Sequence, residues 1–391
     1  MTTIIFTGGG TGGHVFPGIA VYDSLAAEIR RNVRWIGSYR GVERRILENR
    51  GIPYAGISTG KLRRYLDIQN VFDLFRVVAG VFQAYSLLKR WVRDNPEVDG
   101  AAVFSKGGFV AVPVVIAAAI LRIPVVIHES DSDAGLATRI TAPFARRICV
   151  PYPDTVDSLP PRLRRRCVVT GNPVRQEFSS ASAAGALASI GLKETSDPVV
   201  LVTGGSLGAL QLNTWIREVI AELSRRAVVI HQTGARSTGM IDEIAAKAVP
   251  GRYFGAATFD ETFPALLKRA DLVVARAGAG TIWEIAVSGR PAILVPLSAG
   301  ASRGDQIRNA ERYARSGAAV VLDDPETPAA TFLAAVDELL DAPERRRMMA
   351  AAARRWAPED AAGRIAAIVI AAAEGADTDG SGAVGGASPS V

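Results

Sequence analysis

Cysteine is almost missing from this chain, with Cys149 and Cys167 alone among 391 residues. So small a number excludes a disulfide framework and a cysteine-built metal site, and it fits a reducing cytoplasm. Histidine is sparse too: His14, His128 and His231 are the full set. They show no His-Glu-x-x-His or similar metal-ligand spacing, and no Ser-His-Asp arrangement can be inferred from them. A basic leader is also missing, because "MTTIIFTGGG" opens without Lys or Arg and runs straight into glycine, unlike a standard secretory signal. The longest apolar run, "VAVPVVIAAAILRIPVVI", is broken by Pro113, Arg122 and Pro124, so it reads as helix and strand rather than a membrane span. Any meeting with a membrane is therefore expected at its surface.

What is present is globular: 48% hydrophobic and 21% charged residues, in a chain long enough for two domains. Lys and Arg number 45 against 39 Asp and Glu, giving a net charge of +6 and a pI near 9.5. Acidic partners fit such a balance, whether nucleic acid, an anionic membrane face or a phosphorylated substrate, and composition alone does not choose among them.

Apolar runs followed by glycine turns and then helical periodicity recur along the chain, as in "TIIFTGGG", "GAAVFSKGG", "IPVVIHES", "PVVLVTGGS" and "ADLVVARAG". Strands alternating with helices predict parallel α/β units, and continuous Val/Ile/Leu strands predict sheets covered on both faces. The pattern is made twice, since "TIIFTGGGTGG" and "VVLVTGGSLGA" each open a strand, a glycine turn and a helix. The expected divisions are 1–172, 173–355, a helix over 356–373 and a disordered tail over 374–391. The small-residue stretch around 171–198 is expected to be a crossing linker.

Between Lys61 and Asn95, residues Val71, Phe72, Phe75, Val78, Phe82, Tyr85, Leu88 and Trp91 recur mostly at three and four, as in an amphipathic helix. One reading is a core-facing helix. The other is a docking surface for anionic lipid, in which Phe72 and Phe75 insert beside the Arg63-Arg64 pair.

Glycine turns after parallel strands leave N–H groups free at a helix N-terminus, where phosphate binds. They occur at 8–13, 107–108, 204–208 and 278–280. A dinucleotide site is disfavoured, because no acid stands about twenty residues after "GGGTGG", where a ribose would be held. His14 follows that turn at a helix start, where the dipole should keep the imidazole neutral and able to take a proton from a sugar hydroxyl; the alternative is a capping or packing histidine. His128, with Glu129 and Asp131, ends a strand at a carboxyl edge and can line a site; His231 reads equally as a buried, hydrogen-bonded residue. Asp131 and Asp133 leave a loosely held cation open. Glu284 stands one helical turn past Gly280, where a carboxylate can take both hydroxyls of a ribose; an ordinary surface glutamate is the alternative.

In order along the chain, "GGGTGGHVFPGIAV", "SKGGFVAVP", "HESDSDAGLATR", "TGNPVR", "GGSLGA", "RAGAGTIWEI" and "PLSAGASRGDQIRNA" resemble the MurG family of membrane-associated glycosyltransferases in peptidoglycan synthesis. The resemblance spans roughly residues 3–373. It implies a GT-B fold, with two Rossmann-like, doubly wound parallel-sheet domains facing a cleft and a last helix that returns to the first domain. It also implies transfer of N-acetylglucosamine from UDP-N-acetylglucosamine to a polyprenyl-pyrophosphate-linked muramyl-pentapeptide, with inversion to a β-linkage, at the cytoplasmic face of the membrane. Neither a cofactor nor nucleic acid enters that reaction.

Carried over by the same resemblance, His14 is the base. Gly9, Gly10, Gly107 and Gly108 meet the acceptor pyrophosphate, and Thr11, Gly12 and Gly13 lie over the donor. Arg175 and Ser206 hold the donor phosphates, Ala279, Gly280 and Thr281 form the adjoining helix start, and Glu284 takes the ribose. Gln306 with Asp305 reads the sugar, as does Asp131, while backbone near Asp260 reads uracil. Two departures stand out: "HESD" replaces the usual "HEQN", and Asp305-Gln306 replaces paired glutamines. Rival readings are transfer to another glycolipid acceptor, a UDP-N-acetylglucosamine 2-epimerase and a non-catalytic binding subunit.

Overall fold

The structure, a computed structural model, describes residues 1–60, 68–205, 207–298, 300, 304–357 and 360–376. Arg63, Arg64, Ser206 and the tail from residue 377 lie outside the described residues, as does the side chain of Phe72. Contacts divide the chain into Met1–Arg175 together with the segment from Asp360, and Gln176–Glu359.

Among the described residues the first unit carries a seven-stranded, all-parallel sheet. Its strands are β1 (Thr2–Thr7), β2 (Val33–Ser38), β3 (Tyr54–Ile57), β4 (Gly100–Ser105), β5 (Val125–His128), β6 (Arg147–Val150) and β7 (Cys167–Val169), in the order β3-β2-β1-β4-β5-β6-β7. Continuous apolar strands become covered on both faces because alternate residues serve opposite cores. In β1, Ile5 joins Ile36, Val103 and Ile127, whereas Ile4 and Phe6 join Trp35, Phe104 and Val126 in a separate cluster. The strand order reverses between β1 and β4, paired in register to Thr7 and Ser105, so the loops leaving their carboxyl ends open side by side.

Helices α1 (Gly12–Asp23), α2 (Val42–Asn49), α3 (Ile68–Leu88) and α4 (Ala111–Ile120) follow β1, β2, β3 and β4. Helix α3 turns one face to the core, as the core-facing reading expects, and leaves part of the predicted stripe outside. Val77, Ala84 and Leu88 are buried, whereas Leu74, Val78, Phe75 and Phe82 are exposed, the two phenylalanines at 70% each. The helix is apolar on more than one face. No helix among the described residues is long and apolar enough to cross a membrane.

The second unit holds a six-stranded parallel sheet, ordered β10-β9-β8-β11-β12-β13. Its strands are β8 (Val199–Thr203), β9 (Val228–Gln232), β10 (Tyr253–Ala256), β11 (Leu272–Ala275), β12 (Ala292–Leu294) and β13 (Ala319–Val321). The reversal falls between β8 and β11, the counterpart of β1 and β4. Helices α5 (Leu210–Arg226), α6 (Ala279–Ser288) and α7 (Asp305–Arg315) follow β8, β11 and β12. The chain passes from the first unit to the second after Arg175, inside the expected crossing stretch 171–198, and that stretch is anchored: in the turn Glu177–Ser180, Phe178 is fully buried, meets Phe263 edge-on at 6.1 Å and offers its carbonyl to Ser288 Oγ. Buried Phe178 and Leu187 anchor a stretch that small residues otherwise make look unstructured.

Helix α8 (Ala361–Ala373) packs in the first unit, where Ile365, Ala366, Val369 and Ala372 complete the cluster around Ile4 and Phe6. Its start is capped by the Asp360 carboxylate, which accepts from Gly363 N at 2.8 Å.

Candidate active site

At the reversal point of the first sheet the β1–α1 and β4–α4 loops touch, and glycine is what lets them. Gly107 and Gly108 adopt φ +88° and +79°. A methyl group on Gly108 would come within 2.8 Å of Gly9 O and 3.1 Å of His14 Cδ2; one on Gly107 would reach 4.0 Å from His14 Nδ1. Gly10, at φ +88°, has the Phe109 ring where a side chain would stand. The imidazole of His14 thus lies in the first turn of α1, flanked by two glycine turns.

Burial, and then the Lys106 ammonium, push the His14 imidazole down to about 4; Glu129, the Lys106 backbone and Glu43 pull it the other way. The ring is neutral at pH 7, as expected at a helix start. The dominant cause is corrected from helix dipole to desolvation.

Three charged residues build this pocket: Glu129, which the sequence places at a carboxyl edge beside His128, and Glu43 and Lys106, which sequence reasoning passed over. Glu43, fully buried on α2, accepts from Gly10 N at 3.1 Å, Ser38 N at 3.0 Å and Ser38 Oγ at 2.6 Å, pinning the first glycine turn. Glu129 accepts from Ser130 N, Asp131 N, Gly135 N and Thr138 Oγ1 at 2.6–3.1 Å, which fixes the loop bearing Asp131. Lys106, 2% exposed, donates from Nζ to Ser130 Oγ. A lysine between an apolar strand and a glycine pair, at a carboxyl edge, was a usable signal; Glu43, one of several charges on a largely polar helix, had none.

His128 is corrected as a site-lining residue. It is 1% exposed, its Nε2 meets Gly171 O at 3.0 Å, and burial holds its ring well below the ordinary histidine range. It ties β5 to the loop after β7. His231 follows its buried alternative, between Tyr253 Oη at 3.1 Å and Asn213 Oδ1 at 3.0 Å. Arg175 belongs to the first unit, its guanidinium over the Phe16 ring of α1 at 4.9 Å.

In the second unit the reversal point has the same construction. Gly205 and Gly208 take φ +77° and +84°, and a side chain on Gly208 would strike Thr233 O at 2.2 Å. Arg276, after β11, donates to Gln211 Oε1, Val295 O and Pro296 O at 3.0–3.2 Å, tying the β8, β11 and β12 loops together. Helix α6 begins at Ala279 with Gly278 as its cap; Gly280 and Thr281 lie in its first turn and half-buried Glu284 in its second. A methyl group on Gly280 would meet nothing within 4 Å. Gln306 Oε1 accepts from Leu297 N at 3.0 Å, and Asp305 pairs with Arg308 at 2.6 Å, so its carboxylate adds little uncompensated charge. Exposed Asp260 sits beyond β10 at φ +42°, a left-handed position for a non-glycine residue.

Comparison with known proteins matches residues 4–150 to the glycosyltransferase family 28 N-terminal domain and residues 199–365 to its C-terminal domain. The chain is 47% identical over 323 residues, 82% of each chain, to the UDP-N-acetylglucosamine–N-acetylmuramyl-(pentapeptide) pyrophosphoryl-undecaprenol N-acetylglucosamine transferase of Treponema pallidum (strain Nichols). It superposes on crystalline MurG of Acinetobacter baumannii with a TM-score of 0.70 and 26% identity, covering 95% of this chain and 99% of that one. The UDP-GlcNAc 2-epimerase of Neisseria meningitidis gives a TM-score of 0.63 at 13% identity, over 95% and 99% of the two chains, a likeness of fold alone.

Proposed function

The chain belongs to glycosyltransferase family 28 and, within it, to the MurG N-acetylglucosamine transferases, and from that premise we propose that it transfers N-acetylglucosamine from UDP-N-acetylglucosamine to undecaprenyl-pyrophosphoryl-N-acetylmuramyl-pentapeptide. The acceptor hydroxyl attacks the anomeric carbon, its proton passes to the His14 imidazole, and UDP leaves with the electron pair of the broken glycosidic bond. Inversion at that carbon makes a β-linkage. The observation that carries this chemistry is the neutral His14 ring between two glycine turns at a sheet-reversal point.

Gly9, Gly10, Gly107 and Gly108 form the turns that receive the acceptor diphosphate, with Thr11, Gly12 and Gly13 toward the donor. Arg175, Ser206 and the start of α6 stabilise charge growing on UDP; Glu284 takes the ribose, Asp131, Asp305 and Gln306 the sugar, and backbone at Asp260 the uracil. Gly280 supports this assignment: space beside it is open, so its lack of a side chain has a reason outside the fold. The protein acts at the cytoplasmic membrane face, where exposed Phe75 and Phe82 of α3 enter anionic lipid.

The test supplies purified protein with labelled UDP-N-acetylglucosamine and the muramyl-pentapeptide lipid. A disaccharide lipid is expected. Its absence, where an active MurG makes it, overturns the reading, and sugar isomerisation without acceptor would favour an epimerase.

A further inference from the structure

A buried cation beside a catalytic base needs a reason, since desolvating an ammonium is costly and a methionine would fill similar space. Lys106 has that position. Its backbone N donates to Thr7 O at 2.8 Å, extending the β1–β4 pairing by one residue and fixing where its side chain leaves. The side chain is 2% exposed and ends on Ser130 Oγ, on the loop after β5. Gly8 separates it from His14: a methyl group there would come within 3.0 Å of Lys106 Cβ and 3.4 Å of His14 O.

We propose that Lys106 is a positioning residue for glycosyl transfer, its buried ammonium opposing positive charge on the neighbouring His14 imidazole and so holding back its basicity until the acceptor diphosphate binds. This rests on the proposed role of His14. Charges facing the imidazole come from each packed element: Lys106 after β4, Glu129 after β5 and Glu43 on α2. The two carboxylates favour the protonated ring and are each held by several donors, so Lys106 is the opposing charge. Lys106 itself faces Glu129 and Asp131, and burial brings its ammonium down to about 8, so it remains mostly charged at pH 7. His128, also beside Lys106, is held neutral by burial. A diphosphate arriving at the adjoining glycine turns adds negative charge that offsets Lys106. The base then strengthens only when there is a hydroxyl to deprotonate.

The experiment reads His14 directly. The full chain, labelled in its three histidines, is titrated by NMR as wild type, Lys106→Met and Lys106→Arg, with the His128 and His231 signals reporting an intact fold. In Lys106→Met the His14 midpoint should move up by half a unit or more, and in Lys106→Arg it should stay low. Inorganic pyrophosphate added to the wild type should also raise it. The acid limb of kcat against pH should rise with the midpoint in Lys106→Met, while KM for UDP-N-acetylglucosamine changes less than threefold. An unmoved His14 midpoint in folded Lys106→Met overturns the proposal. Unchanged kcat in His14→Ala with the midpoint shift intact would instead locate the failure in the reading of His14 as the base.

Discussion

His14 and Gly108 are coupled at the scale of single residues, because the turn that makes room for the ring is also what the ring rests on. Removing the imidazole by His14→Ala should lower kcat by roughly 10²–10⁴-fold while leaving KM for the donor nearly unchanged, the signature of lost proton transfer. Equal losses in both parameters would make His14 a packing residue. Gly108→Ala forces a methyl group toward Gly9 O at 2.8 Å in a left-handed conformation that costs L-residues roughly 1–2 kcal/mol. It should lower both Tm and kcat. Gly280→Ala is the opposite case. The residue lies inside α6 with nothing within 4 Å of its missing side chain, so alanine should stabilise the helix by about 0.5–1 kcal/mol and raise Tm. If the donor diphosphate approaches that backbone, KM for the donor rises at the same time; a more stable enzyme with unchanged KM would remove Gly280 from the donor site. These glycines and His14 were legible because they interrupt an apolar strand pattern. Glu43 was not, and Glu129 was placed at the carboxyl edge without its role, since both roles depend on where neighbouring loops carry N–H groups.

Elements show a different limit of legibility, and α3 illustrates it. Periodicity reports that a helix has an apolar stripe, but α3 has two, and spacing does not say which one meets the sheet. Val77, Val81, Ala84 and Leu88 face the core, while Leu74, Phe75, Val78 and Phe82 form the outer surface. The inner face packs against α4, an alanine- and valine-rich helix. Phe75→Ser with Phe82→Ser therefore removes large apolar area without opening a cavity. Tm should change by only a few degrees, whereas sedimentation with anionic vesicles should weaken at least fivefold. Val77→Ala with Leu88→Ala should do the reverse, since truncating buried aliphatic side chains costs about 1–5 kcal/mol each. If the serine variant sediments like the wild type, α3 is not the docking surface.

Over the whole molecule, the repeated strand–turn–helix pattern was plain in the sequence, and both sheets follow it. What escaped was how firmly the crossing, expected within 171–198, is anchored: Arg175 belongs to the first unit and Phe178, three residues on, is fully buried in the second. The histidines supply a property of both units together. His14 and His128 lie in the first unit and His231 in the second, and burial lowers all three below the ordinary value of 6.5. A group whose folded pKa is depressed leaves the unfolded chain binding more protons, so stability falls as pH drops below 6.5 and the loss levels off below the folded value. For fully buried His231, lowered to about 4, that loss amounts to about 2 kcal/mol by pH 5 and about 3 kcal/mol by pH 4. Urea unfolding of the wild type should therefore show falling stability from pH 7 to pH 4.5, distinct from carboxylate protonation, which acts mostly lower. In His231→Gln, where an amide can still meet Asn213 and Tyr253 without titrating, the second unit should start less stable at pH 7 but lose about 2 kcal/mol less by pH 5. Parallel pH curves for the two proteins would show that His231 is not protonated on unfolding in this range, and would remove it from the acid sensitivity of the fold.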